Sequence, residues 1–184
     1  MITADVLDVD LTAILGDERV RVAGNLPYNI SSPILFKLLT AAGHLIDANL
    51  MLQREVADRL LANPGTKDYG VLTIFIRAQA DVRPLLSLPP GAFRPPPKVH
   101  SSVVRLTFKP SIVPEPLNAT FTRMVRTMFT QRRKTVLNAL RPFAESLQRT
   151  SASALSAAAI DPARRPETLS LDELVRLASV FAQS

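Results

Sequence analysis

Two proline clusters constrain this chain more than any other feature: Pro89, Pro90, Pro95, Pro96 and Pro97, then Pro110, Pro114 and Pro116. Proline fixes φ and removes a backbone donor, so each cluster reads as an ordered loop or linker. The second cluster is the expected domain boundary, with residues 1–112 before it and 113–184 after it. At 184 residues the chain holds one full domain, or a domain with a small appendage.

Before the boundary, strands and helices alternate. Residues 19–23 read as a short strand ending at Gly24. Residues 33–40 read as a helix, with Ser32 as N-cap and Pro33 at its first position. Residues 49–53 read as a buried strand and 54–62 as a helix through Val56, Leu60 and Leu61. Residues 71–78 fit helix or strand equally. Residues 82–88 and 101–108 read as further strands. Such alternation predicts an α/β fold with a parallel sheet and ligands at the carboxyl ends of its strands.

Beyond the boundary the spacing turns helical, which predicts a small all-α domain. Phe121, Met124, Val125, Met128, Phe129, Val136 and Leu140 share one face of a helix continued from 121 to 141. Arg123, Arg126, Arg133, Lys134 and Arg141 fall on the opposite arc. Arg132 points toward the apolar face, which suggests a bend near Gln131. A last helix is expected over 171–182, with Ser170 as N-cap and Glu173 completing a capping box.

Composition excludes several functions. With no cysteine, the chain has no disulfide, thiolate metal site or cysteine nucleophile. That fits a cytoplasmic protein. Two histidines, His44 and His100, make a multi-histidine metal site improbable. No apolar run approaches the roughly 20 residues that span a bilayer. Residues 94–141 carry ten Lys or Arg against one acid, Glu115, a local charge of +9 within a total of +6. A basic band on a near-neutral body is the footprint of a polyanion partner, with a solvated surface as the alternative.

Asn25, Leu26, Pro27 and Tyr28 follow a predicted strand and precede a predicted helix, where α/β enzymes place their sites. An adenine N6 amine is a poor nucleophile, because its lone pair is delocalised into the ring. The Asn25 amide oxygen, with a nearby backbone carbonyl, can accept from both N6 hydrogens and turn the lone pair toward an electrophile. Pro27 stiffens the turn. Tyr28 offers a flat face to the base, worth ~1–3 kcal/mol. That helps offset the few kcal/mol needed to unstack it.

The stretch resembles the Asn/Asp-x-Pro-aromatic motif of adenine-N6 methyltransferases. With Asn29 through Pro33 it is similar to the small-subunit ribosomal RNA adenine N6,N6-dimethyltransferases. Residues 51–59 (MLQREVADR), 69–72 (YGVL), 93–104 (FRPPPKVHSSVV) and 131–135 (QRRKT) resemble that family in the same order. The resemblance implies a Rossmann-like S-adenosylmethionine-dependent methyltransferase sheet, truncated at its N-terminus, with a helical rRNA-binding domain. It implies S-adenosyl-L-methionine as cofactor, held by Asp5 and Asn25. It implies Asn25, Leu26, Pro27, Tyr28 and Phe93 as the catalytic set, with Tyr28 and Phe93 sandwiching the base. Lys98, Arg132, Arg133 and Lys134 would meet phosphates. The implied reaction is dimethylation of two adjacent adenines near the 3′ end of small-subunit rRNA, by a monomer acting on a pre-ribosomal particle.

One departure stands out. The family's glycine-rich cofactor loop and its ribose-binding acid have no counterpart here. The six glycines are Gly16, Gly24, Gly43, Gly65, Gly70 and Gly91, and no two are one residue apart. The expectation is a fragment that binds S-adenosylmethionine weakly or not at all, a prediction that micromolar binding by calorimetry would overturn. Two other functions compete: a large-subunit rRNA or DNA adenine methyltransferase, and a non-catalytic ribosome assembly factor.

Overall fold

The computed structural model describes residues 3–182. The chain divides into two compact units, residues 1–62 with 75–110 and residues 63–74 with 111–184. Among the described residues no helix is long and apolar enough to cross a membrane.

The first unit is built on four strands: β1 (Val20–Asn25), β2 (Leu45–Gln53), β3 (Ala80–Leu88) and β4 (Ser101–Phe108), in the order β1-β2-β4-β3. β1 and β2 are parallel, whereas β4 runs antiparallel to both β2 and β3. The expected parallel sheet is therefore parallel in one pair only. A parallel connection needs a crossover, usually a helix. Residues 89–100 contain only a 3₁₀ turn, Pro90–Ala92, so the chain returns beside β3 in the opposite direction.

β2 begins four residues earlier than its sequence pattern suggests, because Leu45 and Ala48 are buried with Leu50 and Leu52. Leu50 pairs with Val104, and both are fully buried. A short helix, α1 (Leu11–Leu15), is capped by the Asp10 side chain. α2 (Ser31–Thr40) buries Ile34, Leu35 and Leu38. It starts two residues before the predicted position, so Ser32 is not its N-cap and Pro33 is its third residue. Pro is tolerated there because the first-turn N–H groups lack intrahelical partners anyway. α3 (Arg54–Leu61) buries Val56, Ala57 and Leu60 and lies against β2, β3 and β4. α4 (Val71–Gln79) resolves the ambiguity of 71–78 as helix. Residues 72–76 are buried without a break, which is why no helical stripe shows in its sequence.

The second unit holds α5 (Asn118–Thr130), α6 (Val136–Glu145), α7 (Ser151–Ala157) and α8 (Leu171–Ala182). The helix expected to run from 121 to 141 is broken: residues 131–135 form a turn in which Lys134 N donates to Gln131 O at 2.8 Å. Its apolar positions still converge, with Phe121, Met124, Val125, Met128, Val136 and Leu140 buried. Phe143 and Phe181 pack edge to face at 5.1 Å between centroids. The predicted capping box of α8 is present: Ser170 N donates to Glu173 Oε2 at 2.8 Å, and Glu173 N donates to Ser170 Oγ at 3.2 Å. Segment 63–74 joins this unit through Gly65 N, which donates to Glu167 O at 2.7 Å, and through the Tyr69 and Phe129 rings.

Candidate active site

β1 ends at Asn25, and the turn that follows is held at three points. Leu26 is buried, and its N–H donates to Met51 O at 3.1 Å. Pro27 O accepts from Ile30 N at 3.2 Å and from Ser31 Oγ at 2.9 Å. The turn thus leads from the strand directly into α2, and it leaves Asn25 exposed at the carboxyl edge of the sheet. The Asn25 carboxamide makes no hydrogen bond among the described residues. Tyr28 is half-buried, and its hydroxyl lies 2.9 Å from Ser101 Oγ.

A second part of the lining comes from the first proline cluster. Phe93 follows the 3₁₀ turn, and the Arg94–Pro95 peptide is cis. Arg54 N donates to His100 O at 3.0 Å, which ties the loop's end to the start of α3. Because β4 runs antiparallel to β2, the loop that precedes it lies at the edge where β1 and β2 end. In an all-parallel sheet that loop would lie at the other edge.

The turn and the loop together bound a cleft of about 330 Å³. Asn25, Leu26, Pro27, Tyr28 and Phe93 line it, joined by Met51, Pro95 and Pro97. The volume lies near the low end of the ~300–1,000 Å³ typical of small-molecule sites. No Asp, Glu, Lys, Arg or His lines it. Its chemistry is therefore that of aromatic faces, proline rings, one carboxamide and backbone groups.

Sequence reasoning missed Met51, Pro95 and Pro97 as lining residues. Met51 was legible in principle, since it alternates with the buried Leu50 and Leu52 and pairs with Asn25 across β1 and β2.

The remaining site candidates do not line this cleft. Asp5 is exposed, with Oδ1 accepting from Leu7 N at 2.9 Å. Its Oδ2 has no partner among the described residues. Lys98 is exposed just beyond Pro97. Arg132, Arg133 and Lys134 belong to the second unit, in the turn after α5. Arg132 Nη2 donates to Lys67 O at 3.1 Å, which accounts for its departure from the charged arc. Arg133 and Lys134 are exposed. No group of three or more His, Asp or Glu suited to a metal ion occurs among the described residues.

Residues 1–183 match the sequence family described as "Ribosomal RNA adenine dimethylase". The chain belongs to that family. Among curated members, "Ribosomal RNA small subunit methyltransferase A" of Nitrosococcus oceani is 48% identical over 162 residues, covering 88% of this chain and 59% of that protein. The protein of the same name from Xanthomonas oryzae pv. oryzae is 46% identical over 181 residues, covering 98% of this chain and 67% of its own length. The chain thus spans about three-fifths to two-thirds of these dimethylase relatives. Among solved structures, a dimethyladenosine transferase from Plasmodium falciparum superposes with a TM-score of 0.80 at 25% identity, over 96% of this chain and 70% of that one. The 23S rRNA methyltransferase ErmE superposes with a TM-score of 0.67 at 22% identity, over 99% of this chain and 71% of its own. The adenine dimethylase fold here is accordingly the α/β, Rossmann-like methyltransferase type.

Proposed function

We propose that the cleft receives an unpaired adenine of small-subunit rRNA for methylation at N6. The full reaction would place two methyl groups on each of two adjacent adenines near the 3′ end of that RNA. The observation that carries this reading is the joining of two aromatic side chains, Tyr28 and Phe93, to a carboxamide with no hydrogen bond among the described residues.

The flat walls would stack the base, worth ~1–3 kcal/mol for each aromatic ring. Asn25 Oδ1 and a neighbouring backbone carbonyl would accept from the two N6 hydrogens, turning the lone pair out of the ring plane. They would also stabilise positive charge as it grows on nitrogen. The methylated ammonium loses its proton readily to water, so a cleft lined by no Asp, Glu, Lys, Arg or His suits the reaction.

S-adenosylmethionine, when bound, supplies the electrophilic methyl group. The polar groups suited to holding it are Asn25 and Asp5, whose Oδ2 has no partner among the described residues and would accept from an exocyclic amine. Phosphates of the rRNA would meet Lys98 and the Arg132, Arg133 and Lys134 turn. This reading has the protein act as a cytoplasmic monomer on a pre-ribosomal particle.

The test is methyl transfer by the product of the complete gene, from labelled S-adenosylmethionine to unmethylated 30S particles, naked large-subunit rRNA and duplex DNA. Label in the 30S particles alone is expected. Label in large-subunit rRNA or DNA would move the substrate. RNA binding without transfer to any of the three would make the protein an assembly factor.

A further inference from the structure

We infer that Ser101 is a positioning residue: its hydroxyl donates to the Tyr28 phenol oxygen, fixing the aromatic wall of the cleft and freeing the phenol proton for an acceptor on the bound nucleotide. The assignment rests on the base-binding reading of the cleft for its consequence, and on the geometry alone for the bond.

Ser101 is the first residue of β4, pairs with Gln53 of β2 and is fully buried. A buried hydroxyl proton must find an acceptor, since leaving it unmade forfeits the free energy of its lost hydration. Among the described residues, the only side-chain hydrogen bond of Ser101 is the 2.9 Å contact with Tyr28. The geometry of that contact allows either oxygen to donate. Were Tyr28 to donate, the Ser101 proton would be stranded in a fully buried position. With Ser101 donating, both requirements are met, because Tyr28 is half-buried and lines the cleft. Its own proton can then be given to a ligand or to water.

The consequence is a fixed ring. A tyrosine at a turn carries two rotatable side-chain torsions, and a stacking wall works best when they are settled before the base arrives. Backbone contacts settle the turn, through Leu26 and Pro27, but they do not reach the phenol end. Ser101 does, from a strand position that the β2 and β4 register makes rigid.

The experiment uses the 184-residue chain with ¹³C-labelled tyrosine and an oligoribonucleotide carrying one unpaired adenine as the probe. In Ser101→Ala the Tyr28 Cζ resonance, which reports hydrogen bonding at the phenol oxygen, should move while that of Tyr69 stays. Probe affinity should fall about five- to tenfold, the range expected on removing one hydrogen bond that orders a binding group. Ser101→Thr, which keeps the hydroxyl, should restore both. In a Tyr28→Phe background, Ser101→Ala should cost nothing further. An unmoved Tyr28 Cζ would overturn the bond. An equal loss of affinity with and without the Tyr28 hydroxyl would overturn the positioning role. A probe that does not bind the parent chain would overturn the base-binding reading and with it the consequence for the nucleotide, while the Cζ shift would still decide the bond.

Discussion

In α5, Phe121, Met124, Val125 and Met128 are at most 1% exposed, whereas no residue of β1 is buried and Asn25 at its end lies open to solvent. The helical unit spends its sequence on packing and half-buries the Arg164 and Glu173 pair beside it. The sheet unit packs β2 and β4 as tightly, yet it leaves the Asn25 carboxamide without a hydrogen bond among the described residues. Partnering Asn25 would hold it more firmly and would occupy the very atoms that an adenine amine needs. The two units should therefore respond differently to substitution, and four measurements bear on that difference.

The largest effect should come from the helical core. Phe143→Ala removes one ring of the Phe143 and Phe181 pair and should cost about 3–5 kcal/mol. The chain has two tyrosines and no tryptophan, with Tyr69 in the helical unit and Tyr28 in the sheet unit. Thermal unfolding followed at each tyrosine should show Tyr69 released first in this variant. Coincident release would mean that the units share one cooperative core.

Asn25→Ala should invert the pattern. Methyl transfer should drop about a hundred- to a thousandfold, the usual cost of removing one preorganised polar group that faces a transition state. Stability should change by no more than about 0.5 kcal/mol, since the side chain is exposed and makes no hydrogen bond among the described residues. Unchanged transfer would remove Asn25 from the mechanism.

Replacing Arg133 and Lys134 together by Ala should reduce RNA affinity and lower the salt slope by about 0.7–0.9 for each phosphate that is no longer neutralised. Both side chains are exposed, so unfolding should be unaffected. A salt slope equal to that of the parent would sharpen the comparison in another way, by moving RNA binding away from this turn.

The smallest effect concerns α8. The Arg164 guanidinium, and then the Ser170 N–H, hold the Glu173 carboxyl below its ordinary value. A depressed value in the folded state means that this stabilisation is present above the unfolded value and is lost as pH falls through the folded one. Glu173→Gln should thus cost about 1 kcal/mol at neutral pH, as a partly exposed cap and ion pair would. The gap to the parent should close below the ordinary carboxylate range. A gap unchanged by acid would show that the charge contributes nothing.

Legibility in the sequence varied with how local each cause is. β4 and α8 have the ends their sequences suggest, because an alternating run from Val104 to Phe108 and a capping box are written in adjacent residues. Ser32 reads as a cap and is not one, because Pro33 suits any position of a first turn and the packing of Ile34, Leu35 and Leu38 decides the start. The 131–135 break lacks glycine and proline, and its one sequence signal is Arg132, out of place on the charged arc, which the bend near Gln131 explains. Strand direction is the deeper loss. Alternation has the same period in parallel and antiparallel pairs, so nothing in 101–108 says which way β4 runs. For the site, Asn25 through Tyr28 could be read from one short run. Ser101 could not, since it joins the site through pairing with a distant strand.

The antiparallel course of β4 also sets a time order. During synthesis the Asn25 turn leaves the ribosome some seventy residues before Ser101, at roughly 5–20 residues per second. For those seconds the nascent chain carries half a slot. The ring of Tyr28 gains its anchor when β4 closes against β2, so a chain that has not finished its sheet offers no fixed seat to an adenine.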